Sequence, residues 1–189
     1  MKFSDGTSVR LYRQTVEDFR MYPGLEIEDL DALRDHDSRY SAKMRAVRII
    51  SASAVSKRDL ETRLVRKGES EEQARAAVEW LEDLNLVDDR QTARQIVDSC
   101  VRKGYGLQRA KQALYEKQIP KDLWEEVLED YPDQTDRIAD FLRTKLRDPE
   151  DPKQVRRAID AALHRGHSYG DVKRALEQIG TESEFEEDY

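Results

Sequence analysis

Apolar side chains along this chain recur three and four residues apart, the spacing that puts them on one face of a helix. Leu60 and Leu64 are followed by Ala74, Ala77, Val78 and Leu81. Shifted by 50 residues, the same columns read Ala110 and Leu114, then Trp124, Val127, Leu128 and Tyr131. Shifted by another 48, they read Ala158 and Ala162, then Val172, Ala175, Leu176 and Ile179. Each copy predicts a helix, a short turn and a second helix. A further stripe precedes each pair: residues 41–53 with Met44, Val47, Ile49 and Ile50, residues 90–102 with Ala93, Ile96, Val97 and Cys100, and residues 133–146 with Ile138, Phe141, Leu142 and Leu146. The pattern therefore predicts three units of three helices.

Turn chemistry agrees with the apolar columns. Ser70 and Ser168 each stand three residues before a side chain, Gln73 or Asp171, that can answer an N-cap hydroxyl. Pro120 occupies that column in the second copy and presets the backbone for a helix start. Gly68 and Gly166 sit where the preceding helix needs a left-handed residue to stop, and the second copy has Gln118 there.

A repeat of under 50 residues has little core of its own, so neighbours must stack to exclude water. The fold class expected is all-α, an elongated, solenoid-like tandem array of three three-helix repeats over residues 40–88, 89–132 and 133–180. Residues 1–39 form an acidic N-terminal extension outside the pattern. There the alternation of residues 7–13 suits a short strand, Ile27 to Leu33 suit a two-turn helix, and the whole is expected to be loosely packed or mobile. Residues 181–189 lack a cap and an apolar stripe and are expected to be a disordered acidic tail.

Composition supports helix and narrows the function. Charged residues make up 39% of the 189 and aromatics 7%, as in long helices with one wetted face. The net charge of -7 is unevenly spread. Residues 40–180 hold 27 basic and 26 acidic side chains, so the acidity lies at the ends and the middle can still present a basic face. A single cysteine rules out an internal disulfide, and no stretch approaches the ~18 apolar residues of a membrane span. A cytoplasmic protein with no membrane attachment is expected.

No nucleophile, base and orienting group are grouped as a catalytic set would require, so an enzyme is not expected. Cys100 lies on an apolar stripe and reads as a small core residue. His164 and His167 lack further ligands at metal spacing, and His164 reads as a helix-end residue facing terminal carbonyls. Gly104-Tyr105-Gly106 is too short for a phosphate loop and reads as a tight link between helices. No metal and no cofactor are expected.

What remains is positive charge. Lys57 and Arg58 open one helix and Arg63, Arg66 and Lys67 close it. Arg102, Lys103 and Tyr105 surround the glycine link, with Arg109 and Lys111 just beyond, and Arg156, Arg157 and Arg165 recur in the third unit. Singly, each reads equally well as part of a solvated face paired at i,i+4. As a set, recurrence at equivalent columns of a repeat array aligns them on one face. Arg102 and Lys103 with Tyr105 lead the set, because an aromatic beside paired bases is a common interface anchor.

In order and spacing, these residues resemble the RecX family of bacterial regulatory proteins over about 140 residues, Ser41 to Gly180. The likeness lies in Leu64-Val-Arg-Lys-Gly68 with its Ser-Glu-Glu cap, Leu84-x-Leu86-Val-Asp88-Asp89 with Ala93, Arg102-Lys103-Gly104-Tyr105-Gly106 leading to Arg109 and Leu114, and Arg165-Gly166-His-Ser-Tyr-Gly-Asp171-Val172. The chain departs from the family at Arg90-Gln91-Thr92, where an aromatic is usual, and at Leu107, where a proline is usual. The resemblance implies a protein without catalytic activity that binds the RecA filament on DNA in its helical groove and restrains recombination, strand exchange and the SOS response; a monomer that lowers the filament's ATP hydrolysis is expected alongside. Weak direct contact with nucleic acid is the accompanying expectation. A helical-repeat protein that binds single-stranded nucleic acid on its own is the alternative reading.

Overall fold

Each apolar stripe read from the sequence falls on a helix in the computed structural model, which describes residues 2, 6 and 8–180, although the stripe from Trp124 to Tyr131 is helical only as far as Leu128 and Ile179 lies just past its helix. Among these residues the protein is all-α, and β pairing amounts to one isolated bridge, Lys2 to Ser8. The chain divides into two units, residues 1–89 and residues 90–189.

The first unit is built on α2 (Leu30–Ala52), α3 (Lys57–Arg66) and α4 (Glu71–Asp83). Ala42, Ala46 and Ile49 of α2 meet Leu60 and Leu64 of α3 and Ala74, Ala77, Val78 and Leu81 of α4, with Val55 and Val87 closing the ends. Burial of each Leu, Ile or Val stabilises by roughly 1.5–3 kcal/mol relative to exposure. The alanines contribute mainly by letting the helices approach closely. Ser56 and Ser70 cap α3 and α4, their hydroxyls accepting from the amides of Asp59 and Gln73 at 3.0 and 3.2 Å. Gly68 ends α3 at φ +95°.

Two expectations for the N-terminal segment are corrected. The strand that alternation suggested over residues 7–13 is not formed among the described residues, where Ser8 makes a single bridge to Lys2 and Arg13 opens a short helix, α1 (Arg13–Asp18); Thr7 lies outside the described residues. The segment is also packed rather than loose. Thr15 is fully buried and donates its hydroxyl to Asp37 Oδ1 at 2.7 Å, and the same oxygen accepts the Tyr12 amide at 2.7 Å. Phe19 and Tyr12 make edge contacts with His36 and Tyr40, ring centroids 5.2 Å apart in both cases. The anchoring surface is α2, which starts at Leu30 and not at Ser41 because Asp29 caps it, accepting from the Ala32 amide at 2.8 Å. Polar docking of this kind leaves no apolar stripe for periodicity to detect.

The second unit holds two helix groups. α5 (Asp89–Arg102), α6 (Leu107–Glu116), a 3₁₀ turn (Lys121–Leu123) and α7 (Trp124–Leu128) gather Ala93, Val97, Leu114 and Ile119. Trp124, Val127, Leu128 and Tyr131 pack on this cluster from the short third element. Gln118 takes φ +53°, so the middle turn lacks its glycine but keeps its conformation. α8 (Thr135–Lys145), α9 (Pro152–His164) and α10 (Tyr169–Gln178) bury Ile138, Leu142, Val155, Ile159, Val172 and Leu176. Ser168 caps α10 through the Asp171 amide at 3.1 Å, and Gly166 ends α9 at φ +85°. Cys100 is buried as a core residue, and burial pushes its thiol up from the usual range. The acidic tail expected over residues 181–189 lies outside the described residues.

Candidate partner-binding surface

The cations singled out in the sequence divide by what their side chains already touch. Arg58, Arg66 and Lys67 in the first unit, and Arg102, Lys103 and Arg156 in the second, are exposed with no ion-pair partner among the described residues. Lys111 is half-buried and likewise without such a partner, and Arg157 is exposed near the Asp151 carboxylate. Others are engaged within the fold. Lys57 pairs with Glu82 at 2.8 Å, and that hydrogen bond raises its ammonium above the usual range. Arg109 reaches Glu116 at 3.6 Å. An exposed pair of this kind contributes at most about 1 kcal/mol and leaves both groups available to a partner.

Arg165 is committed more deeply, to a clasp inside the second unit. Its guanidinium donates to the carbonyls of Lys103 at 2.5 Å and Gly104 at 3.4 Å, and lies 5.3 and 4.8 Å from the ring centroids of Tyr105 and Phe141. The backbone closes the same junction, with the Gly106 amide donating to Arg165 O at 2.9 Å and the Gln108 amide to Gly166 O at 3.1 Å. His167 Nε2 lies 3.2 Å from Gly104 O, and burial holds this imidazole below its usual pKa. From the other side Tyr131 donates its hydroxyl to Tyr105 O at 2.6 Å and Gln134 its amide at 3.0 Å, and burial pushes the Tyr131 phenol up to about 12. Arg137 donates to Val101 O, so the end of α5 and the link after it are capped almost entirely by side chains of the last helix group.

The two glycine-containing turns thus interlock. A Cβ on Gly106 would lie 2.1 Å from Gly166 O, and one on Gly166 would lie 2.3 Å from the Arg109 amide nitrogen. Both positions require glycine for close approach. The consequence for the candidate surface is positional: Arg102 and Lys103 sit on a stretch whose carbonyls are fixed, so their side chains extend from a rigid base. His164, at the end of α9, faces the Asp160 carbonyl at 3.0 Å, the helix-end role its place in the sequence indicates. Among the described residues, no three His, Cys, Asp or Glu side chains converge as a metal set.

The first unit contains a basic cleft that sequence reasoning did not assemble. It has a volume of about 380 Å³ and is lined by Tyr12, Arg45, Arg48, Ile49, Ala52, Ser53, Arg63 and Lys67. The legible signal was Arg45, Arg48 and Ala52 at i, i+3 and i+7 on α2; the contribution of Tyr12 was not readable, because it depends on how the N-terminal segment docks.

A family model described as RecX, second three-helix domain, matches residues 88–128. The chain is similar to the regulatory protein RecX of Chlorobaculum tepidum, 29% identical over 153 residues that cover 79% of this chain and 95% of the relative. It is also similar to the regulatory protein RecX of Vibrio campbellii, 26% identical over 139 residues that cover 72% and 90%. In fold it resembles a crystal structure of regulatory protein RecX, with TM-score 0.69 at 18% identity over 95% of this chain and 93% of that one. A second solved structure, RecX from Lactobacillus salivarius, superposes with TM-score 0.67 at 18% identity over 77% of this chain and 98% of the other.

Proposed function

We propose that this chain is a member of the RecX family and acts without catalysis as a cytoplasmic, monomeric regulator that binds the RecA filament on DNA in its helical groove and restrains recombination, strand exchange, ATP hydrolysis and the SOS response. The observation that carries the reading, beyond the family, is the unpaired Arg102–Lys103 pair on a clasped turn. Unpaired exposed cations are available to acidic surfaces of a partner, and several modest contacts along a filament combine through linkage. Among the described residues no helix is long and apolar enough to cross a membrane.

The test is capture by RecA filaments, with filament length and DNA-dependent ATPase as readouts, for the wild type and for Arg102→Glu combined with Lys103→Glu. Arg165 binds the backbone carbonyl of Lys103 and not its side chain, so the double reversal leaves the clasp intact and helicity unchanged. Capture is expected to weaken about tenfold or more, and its salt dependence to flatten. Unchanged filament length and ATPase at stoichiometric wild-type protein would refute the reading. A steep salt slope on naked single-stranded DNA, indifferent to RecA, would favour autonomous nucleic-acid binding instead.

A further inference from the structure

We infer that the cleft of the first unit is a phosphate-binding site, built from Arg45 and Arg48 of α2, Arg63 of α3 and Lys67 at its end, with Tyr12 at its wall. This goes beyond the filament contact, since Arg45, Arg48 and Tyr12 lie outside the residues singled out for that surface.

Two of the guanidinium groups are fixed from behind. Arg63 is held by the buried carboxylate of Asp59, with contacts of 2.9 and 2.8 Å, and Arg45 by the buried carboxylate of Glu69 at 3.0 Å and by the carbonyl of Lys67. Glu69 is itself oriented by the Ser41 hydroxyl at 3.2 Å, and the Tyr12 hydroxyl lies 3.4 Å from that same Ser41 oxygen. The N-terminal segment, the floor of the cleft and the arginine fork are thus one hydrogen-bonded series. Arg48 and Lys67 have no ion-pair partner among the described residues.

Four cations against two buried acids leave two uncompensated positive charges in one cleft. An anion entering it gains from guanidinium forks already immobilised, which lowers the ordering cost of binding. A phosphate fits this arrangement better than a single carboxylate, because its several oxygens can accept from cations on α2 and α3 together. The volume suits a nucleotide-sized group. The phosphate can come from a free nucleotide or from a nucleic-acid backbone, and the chemistry recognised is the same.

The test is titration of the full chain with pyrophosphate, a mononucleotide and a short oligothymidylate, followed by amide and arginine side-chain NMR shifts and by calorimetry. Shifts are expected to centre on Arg45, Arg48, Arg63 and Lys67. Arg48→Glu is expected to weaken binding about tenfold and, for the oligonucleotide, to lower the salt slope by about one. Arg75→Glu, an equal charge change elsewhere on the unit, is expected to leave binding within about twofold. Binding by pyrophosphate or mononucleotide assigns the site to small phosphates, and binding by the oligonucleotide alone assigns it to a strand; either supports the site. The inference is overturned if no probe shifts these residues, if Arg75→Glu weakens binding as much as Arg48→Glu, or if a polyglutamate peptide binds as tightly as the phosphates.

Discussion

Replacing Gly106 with alanine tests the clasp most directly. Gly106 lies at φ -78°, a conformation any residue adopts, so the substitution introduces no backbone strain of its own. Its cost comes from the approach of the second turn: the new methyl would sit 2.1 Å from the Gly166 carbonyl oxygen, more than 1 Å inside ordinary contact. The two turns must separate, which stretches or breaks the Gly106-to-Arg165 and Gln108-to-Gly166 hydrogen bonds. With each bond worth about 1 kcal/mol net and a forced backbone shift about 1–3 kcal/mol, the expected loss is about 3–5 kcal/mol, a large fraction of a typical domain's stability. Gly68→Ala is the comparison. Gly68 has φ +95° and a methyl added there would meet nothing within 4 Å, so its cost is left-handed strain alone, about 1–2 kcal/mol. Urea unfolding followed by circular dichroism measures both, and hydrogen exchange locates the damage, with the Gly106 and Gln108 amides losing protection first. A Gly106→Ala variant no less stable than Gly68→Ala, or one that keeps those amides protected, would refute the claim that the interlocked turns hold the second unit together.

Two further outcomes follow from the same junction. Arg165→Met keeps the aliphatic volume but removes the donors to the Lys103 and Gly104 carbonyls, and is expected to cost about 2–3 kcal/mol in urea unfolding, with Arg165→Lys recovering less than half because an ammonium cannot present a planar fork between Tyr105 and Phe141. His167 gives a pH signature. Burial, aided by the nearby Arg165 charge and opposed by the Gly104 hydrogen bond and Asp171, holds its folded-state pKa below the usual 6.5, so the unfolded chain takes up the proton first. Its contribution is complete above about pH 6.5 and declines as pH falls toward the depressed value, so the difference in urea midpoint between about pH 7.5 and 5.5 should shrink in His167→Gln.

Much of the helix pattern is legible because its causes are local. The stripe Ala74, Ala77, Val78, Leu81 and the Ser70 hydroxyl lie within twelve residues of one another, and a helix needs little beyond such neighbours to choose its boundaries. Gln118 is less legible: it takes the left-handed backbone, φ +53°, that glycines adopt at its column in the other copies, although its own residue type does not call for it. The N-terminal segment escapes such reading for the opposite reason. Thr15 is buried against Asp37 by hydrogen bonds, and a polar anchor looks like a solvated residue until its partner is known. Among the candidate cations, Arg165 and Arg102 look alike in sequence, yet one caps carbonyls about sixty residues away and the other extends unpaired into solvent.

The amino-acid sequence by itself determined that this protein is helical, that its helices come in triplets, where most of them start and stop, and which side chains form their cores. Those properties follow from hydrophobic spacing and capping within a turn or two of chain. Only the tertiary structure decided which glycines meet, which arginines are consumed by backbone carbonyls, and which gather around Tyr12 in a cleft. Such pairings join residues tens of positions apart, and the energy that selects them comes from desolvated hydrogen bonds and close contacts that exist only once the helices have packed.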